Sequence, residues 1–425
     1  FGPSPPSSSS TPAPLPAPPP IPPSLPSPPP GSYPPPTPTS APTSLPYLAS
    51  PPSPSSPFSP PPYPVPPAPP AEEGTAYIES SPYHESWLRA AMDAPEISSI
   101  VLRTDVRLTS ELPVASRSLS ISGECAEALC IVDGGGAFQP FYVQLYWNID
   151  EFIIDRISIT NGYAVQGGGI YVDWGNVIIT NSQIINCTAR YAGGAIVVVS
   201  GSVQMNNTVL AGNEATEHQS LGGALYLYSG LVDLRYCEVR ENRVQLLGGA
   251  VYASFGALQM THTVFTDNTA VATYSNGGAI YVSNADLMVW SCEFSRNVAK
   301  LYDGGALYLE TGYTELRDTI FSSNAAKDWG GAVNFANGTL SISGCIFTGN
   351  IAKLGGAIQL NRYEEGGALV DTLNVVIVDT IFRDNVAEAD GGGLSVVEYP
   401  DDHLSLSIID TVLQGNVAYR ARARA

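Results

Sequence analysis

The sequence predicts an all-β solenoid, a single parallel β-helix, and three features point to it. A short phrase ending in Asn returns along the second half of the chain, and a Gly-Gly pair follows every copy but the last. A proline-rich stretch precedes both and cannot join them. Aligned on the Asn, the copies fall at Asn213, Asn242, Asn268, Asn297, Asn324, Asn350, Asn385 and Asn416, mostly 26 to 29 residues apart. Such a period is that of a solenoid repeat. Three residues before the Asn stands Phe, Leu or Val, as at Phe265, Phe294 and Phe321, and five before stands Thr or Cys. Small or apolar residues at period two with polar residues between them predict a strand with one buried face.

The Gly-Gly pairs recur at Gly193, Gly222, Gly248, Gly277, Gly304, Gly330 and Gly355, with triplets at Gly167 and Gly391, and a strand of the "ALYL", "AVYA" or "AIYV" type comes next. Glycine supplies the positive φ and the close backbone approach of a sharp corner. One repeat is then one coil, and it cannot bury its apolar face alone. Parallel stacking at about 4.8 Å pairs every strand with its neighbours and turns each repeated residue into a ladder. The Asn ladder and the Phe ladder are therefore expected to be structural. A leucine-rich repeat has an overlapping period, but its L-x-x-L-x-L spacing and helical segments are missing here.

Of the 38 prolines, 33 fall before residue 71, and residues 1–71 carry no charged side chain. That stretch is expected to be a polyproline II or disordered stalk, reaching on the order of 200 Å at about 3.1 Å per residue. Residues 72–150 read as an N-terminal cap and first coils, 151–418 as the β-helix repeats, and 419–425 as a tail. In the cap, "YHESWLRAAMDAP" places Trp87, Leu88, Ala91 and Met92 at helical spacing before Pro95, and predicts a helix that covers the open end of the solenoid. All of the net charge of -20 lies beyond the stalk, which argues against nucleic acid or anionic lipid as partners. No apolar run is long enough for a transmembrane helix. The chain begins at Phe1 and ends in "NVAYRARARA", so a processed or excerpted start and a missing downstream region are expected.

The paired phrases resemble a known family. F-x-x-N, met at Phe265–Asn268, Phe294–Asn297, Phe321–Asn324, Phe347–Asn350 and Phe382–Asn385, and G-G-A-[I/L/V], met at Gly222–Leu225, Gly248–Val251, Gly277–Ile280, Gly304–Leu307, Gly330–Val333 and Gly355–Ile358, are similar to the repeats of chlamydial polymorphic membrane proteins and of β-helix proteins in green algae and protists. The resemblance covers roughly residues 155–418 and implies a right-handed, pectin-lyase-like coil. In the bacterial members it implies a surface-displayed adhesin passenger followed by a membrane barrel. "SPPPY" at Ser59–Tyr63 and the Ser-Pro runs resemble extensin-like, hydroxyproline-rich wall glycoproteins. An algal or protist extracellular protein fits both resemblances.

Candidate sites are few. Tyr171, Tyr226, Tyr252, Tyr281 and Tyr308 occupy one place on the second strand and are expected to point outward, either as a stabilising ladder or as a stripe that binds glycan or protein. Cys125 and Cys130 are close enough for a disulfide in a secreted protein, with free thiols as the alternative. Cys237, Cys292 and Cys345 lie on alternate coils, about 9 to 10 Å apart, and are expected to be buried fillers. Sequons occur at Asn186, Asn206 and Asn337, and aligning "SQIINCT" with "DTIFSSN" puts Thr188 rather than Asn186 in the Asn column. Asp303, Asp328 and Asp390 before Gly-Gly corners are expected to form a solvated acidic surface rather than a calcium site. Asp401 and Asp402 stand alone, and His84, His218, His262 and His403 fall at unrelated repeat positions, so no polysaccharide-cleaving set is assembled. The sequence implies no cofactor and no metal. It points to an extracellular or cell-surface, structural or adhesive and non-catalytic rod of a wall or matrix, with glycans or glycoproteins as partners. A polysaccharide-binding or polysaccharide-cleaving enzyme and a passive scaffold for a missing C-terminal module are the alternatives.

Overall fold

A computed structural model describes residues 68, 70–126, 128–146, 150–361, 373–397 and 404–419. The stalk up to residue 67, Asp401, Asp402, His403 and the tail from residue 420 lie outside the described residues. The described part belongs to the compact unit Phe58–Ala425, and it is the expected right-handed parallel β-helix. Each coil feeds a 22-stranded sheet folded over two sides, a 12-stranded sheet and a 10-stranded sheet. Strands of successive coils pair in parallel, while the short strand Ala71–Glu72 runs antiparallel to Thr75–Ile78.

Strand alternation sets the interior. In Val251–Thr261 the residues Val251, Ala253, Leu258 and Met260 are fully buried, and Gln259 and Thr261 between them face outward. Residues of this kind from Ala76 to Phe382 form one continuous apolar core. Phe265, Phe294, Phe321, Phe347 and Phe382 stack inside it with ring centroids 4.9, 5.0, 4.7 and 4.9 Å apart. This near-parallel stacking follows the strand spacing rather than the offset or edge-to-face geometry that free rings prefer.

The Asn residues form the predicted second ladder. Asn297 Oδ1 accepts from the Asn268 backbone N–H at 3.1 Å and from Asn268 Nδ2 at 3.0 Å. Asn297 Nδ2 donates to Phe265 O at 2.9 Å and to Asn324 Oδ1 at 3.0 Å. The pattern runs from Asn213 to Asn416, and its members up to Asn385 are at most 1% exposed. One register needs correction: Ile184 pairs with Leu210, so Cys187, not Thr188, takes the Asn place. Its backbone N–H donates to Asn213 Oδ1 at 3.0 Å, and its Sγ accepts from the Gly162 N–H at 3.4 Å. Asn186 is the exposed corner residue just before it, at φ 53°.

Cys237, Cys292 and Cys345 alternate with buried Thr263 and Thr319, and the N–H groups of Cys237 and Cys292 donate to the threonine hydroxyls ahead of them at 3.4 and 3.3 Å. At the start, helix α1 (His84–Asp93) buries Leu88, Ala91 and Met92 in the core. Its last carbonyls are held by Arg117, whose Nη2 donates to Met92 O at 3.2 Å and Ala94 O at 2.6 Å, a favourable place for a cation. Cys125 and Cys130 are joined as a disulfide with Cα atoms 5.3 Å apart.

The two glycines of a corner have different tasks. Gly248 sits at φ 69°, and a Cβ on Gly249 would lie 1.8 Å from Gly278 O of the next coil. Gly349, at φ 63°, has only Ser323 Oγ near the place of a Cβ, at 3.8 Å. Gly249→Ala is therefore expected to lower unfolding stability by about 3 kcal/mol or more through forced separation of coils. Gly349→Ala should lose only about 1 kcal/mol of backbone strain. Chemical denaturation of the two variants beside the parent checks the order.

Candidate functional site

The expected tyrosine column is present, and its rings are stacked as in the ladder alternative. Leu225 and Leu227 point into the core, which turns Tyr226 outward, and register pairing sets Tyr226, Tyr252, Tyr281 and Tyr308 above one another. Their rings stack at 5.4, 5.3 and 4.8 Å, within 12° of parallel. Tyr142 and Tyr171 stack at 5.1 Å at the other end of the same column, and Val197 interrupts it. None of these rings is fully exposed: Tyr281 retains 7% of its surface, and the others are partly covered. The outward stripe is thus a sequestered stack. The reason is the register itself, because each ring is covered by the ring of the neighbouring coil.

Burial also sets the chemistry of these phenols. Tyr281 Oη donates to Glu310 Oε2 at 3.0 Å, and Ser283 Oγ donates to the same oxygen at 2.7 Å. Loss of solvent, and secondarily the Glu310 charge, push the Tyr252 phenol up to about 12 and Tyr281 well above its ordinary value. These are neutral, stacked rings held in place by a carboxylate. Beyond Tyr308 the column continues as Asn334, Gln359 and Ser395. Both amide atoms of Asn334 and the Gln359 Oε1 are buried without a hydrogen-bond partner among the described residues.

The exposed aromatics are others. Trp174, Tyr228 and Phe255 lie at the bend of the 22-stranded sheet with 54%, 47% and 46% of their surface open, and Tyr228 meets Phe255 edge-on at 5.9 Å. Tyr236 stacks on His262 at 5.0 Å at another corner. The repeat alignment missed them because they occupy places that vary from coil to coil. The available signal was an aromatic within two residues of a Gly, as in "DWG", "YSG" and "SFG".

Asp303 corrects the expected solvated acidic surface. It is only 7% exposed, and its Oδ1 accepts from the Trp329 N–H at 3.0 Å. Burial first, and the neighbouring Asp328 second, raise its carboxyl from 3.8 to about 7. Asp328 instead faces Lys353 Nζ at 3.6 Å. Among the described residues no three His, Cys, Asp or Glu side chains are placed to hold a metal ion. His84, His218 and His262 lie on separate coils. Of the sequons, Asn186 and Asn206 are exposed, while Asn337 is 8% exposed and its Oδ1 accepts from the Gly338 N–H at 2.9 Å.

Two tests follow from this burial. Folded Asp303 holds its proton more tightly than the unfolded chain, so its contribution to stability is full below about pH 4 and is lost as pH rises through about 7. Asp303→Asn should remove that loss and raise the melting temperature at pH 8 while changing it little at pH 4. Burial raises the thiols of Cys187 and Cys345 to about 12 and those of Cys237 and Cys292 to about 11. Because the thiolate is the reactive form, native protein at pH 8 should resist iodoacetamide at all four, and denatured protein should be alkylated at each, as read by mass spectrometry.

Comparison with known proteins agrees with this architecture. Residues 121–287 match the family described as "Right handed beta helix region". The "Probable autotransporter YfaL" of Escherichia coli (strain K12) is 31% identical over 202 residues, 41% of this chain and 16% of that protein. The "Metabotropic glutamate receptor-like protein R" of Dictyostelium discoideum is 25% identical over 288 residues, 62% of this chain and 17% of that protein. The chain therefore spans about a sixth of the length of these two curated relatives. No solved structure matches it. Among the described residues no helix is long and apolar enough to cross a membrane. The ladders of the described residues and the match over residues 121–287 agree on one fold, a right-handed parallel β-helix.

Proposed function

We propose that the protein works outside the cell or at its surface as a non-catalytic β-helical rod, structural or adhesive, in a wall or matrix whose glycans or glycoproteins are its partners. The observation that carries this reading is where the repeated chemistry is used. The amides, hydroxyls, thiols and aromatic rings that recur from coil to coil are turned toward the neighbouring coil, in the Asn ladder, the Thr and Cys positions and the tyrosine stack. A chain built so is stiff along its axis and leaves recognition to residues that differ between coils. The name of the bacterial relative, a probable autotransporter, supports a surface location. The Cys125–Cys130 disulfide supports an oxidising compartment.

The exposed bend aromatics are the residues to test for contact with sugar rings, since aromatic faces at a polar surface offer apolar area together with adaptable hydrogen bonding. The full chain is assayed on a glycan array and on insoluble wall polysaccharides, beside a Tyr228→Ala/Phe255→Ala variant and a Tyr252→Phe variant. Retention by the parent and at least tenfold weaker retention by the bend variant, with Tyr252→Phe unchanged, is the expected result. Release of new reducing ends or of unsaturated uronic acid from any polysaccharide would replace the rod with an enzyme.

A further inference from the structure

We propose that Asn186 and Asn206 are acceptor sites for N-linked glycans and that Asn337, despite its sequon, is not. All three satisfy the Asn-x-Thr pattern, as Asn186-Cys187-Thr188, Asn206-Asn207-Thr208 and Asn337-Gly338-Thr339, and sequence alone cannot rank them. The fold ranks them by where each amide points.

Asn206 ends the strand Ser202–Asn206 at an outward place between buried Met205 and the corner at Asn207. Asn186 occupies the next corner, with its backbone tied to Ala211 O and its side chain exposed over Gly212. Neither amide nitrogen has a hydrogen-bond partner among the described residues, so carrying a sugar removes no contact of the folded coil. Asn337 lies at the sheet bend between buried Ala336 and Gly338 at φ 106°, with its carbonyl spent on the Gly338 N–H. A saccharide there would have to leave through the packed bend.

The two accepting sites flank one sheet, Asn206 at the end of a strand of the 22-stranded sheet and Asn186 at the corner beyond the 12-stranded sheet. Ile184 pairs with Leu210, which places Asn186 level with Gly212, six residues along the chain from Asn206. At about 3.3 Å per residue they stand at most about 20 Å apart, at opposite margins of the strands Gln183–Ile185 and Val209–Ala211 in the 12-stranded sheet. Glycans at both would stand at the two corners that bound that sheet here and restrict lateral contacts to it.

The chemistry needs a lipid-linked oligosaccharyl pyrophosphate as donor. The Asn amide nitrogen forms the bond to the anomeric carbon, the bond from that carbon to the pyrophosphate oxygen breaks, and the lipid pyrophosphate leaves with the electron pair while the amide gives up one proton to base. This inference rests on the extracellular reading above, so the experiment supplies the secretory route itself. The full chain is secreted from eukaryotic cells behind an added signal peptide. It is then treated with peptide-N-glycosidase in heavy-oxygen water and mapped by peptide mass spectrometry.

Two mass steps on gels and isotopic marking at Asn186 and Asn206 alone are expected. Asn206→Gln and Thr188→Val should each remove one step, the latter leaving the Asn186 corner intact, and Asn337→Gln should remove none. An unmarked Asn186 or Asn206, or marking at Asn337 in soluble, protease-resistant protein, overturns the proposal. Location is read separately, by surface proteolysis of the native source. A native intracellular protein that is fully modified when secreted would overturn the extracellular reading and leave the site assignment standing.

Discussion

Everything in this fold depends on coils stacking in parallel register, and the buried Asn column is what holds one register against the others. An amide on an inner corner has two donor hydrogens and an acceptor oxygen, and an orphaned one would cost about 1 to 3 kcal/mol. Here each is satisfied by residues of the coils on both sides. A coil slipped by one residue would bring an outward side chain to that corner and break the chain of bonds in both directions. Apolar packing alone does not exact this, because Leu210, Val239 and Phe265 are interchangeable as fillers of one column.

The register in turn fixes the corners. Each coil spends backbone strain where it turns, and the strained places also align. Arg156, Tyr236, His262 and Asp318 all lie near φ +50° at equivalent turns, at 54°, 52°, 48° and 50°. Left-handed backbone costs a residue with a side chain roughly 1 to 2 kcal/mol, and it persists where surrounding structure over-determines it. Stacking supplies that determination, because every corner N–H donates to the corresponding carbonyl of the following coil, as Tyr236 does to Thr261 O and His262 to Trp290 O. Corner residues are thereby freed to vary in charge and shape, and this is where exposed aromatics and accepting amides appear.

Much of this was legible because a solenoid writes its contacts into its period. Residues that meet in space stand at the same place in successive repeats, so the Phe ladder, the Asn ladder and the alternating Cys and Thr were readable as one column each. The reading slipped at Cys187, where the motif has lost both its Phe and its Asn and only strand pairing recovers the alignment. For the tyrosines it left a stabilising ladder and a binding stripe open, because alternation tells which face of a strand a residue takes but not what lies over that face.

Sequence by itself therefore determined the period, the parallel stacking and the inward and outward alternation, which follow from local spacing repeated often enough to exclude other folds, and it pointed to the capping helix from helical spacing before a proline. Tertiary structure decided what each outward residue meets. The tyrosines of the column cover one another, Asp303 is buried with its carboxylate on the Trp329 N–H, Asn337 is packed into the bend, and Trp174, Tyr228, Phe255, Asn186 and Asn206 are left in the open. The physical reason is that exposure is a property of the whole coil cross-section, set by how sharply the backbone bends at residues far from the one concerned, and the repeat period carries no record of that curvature.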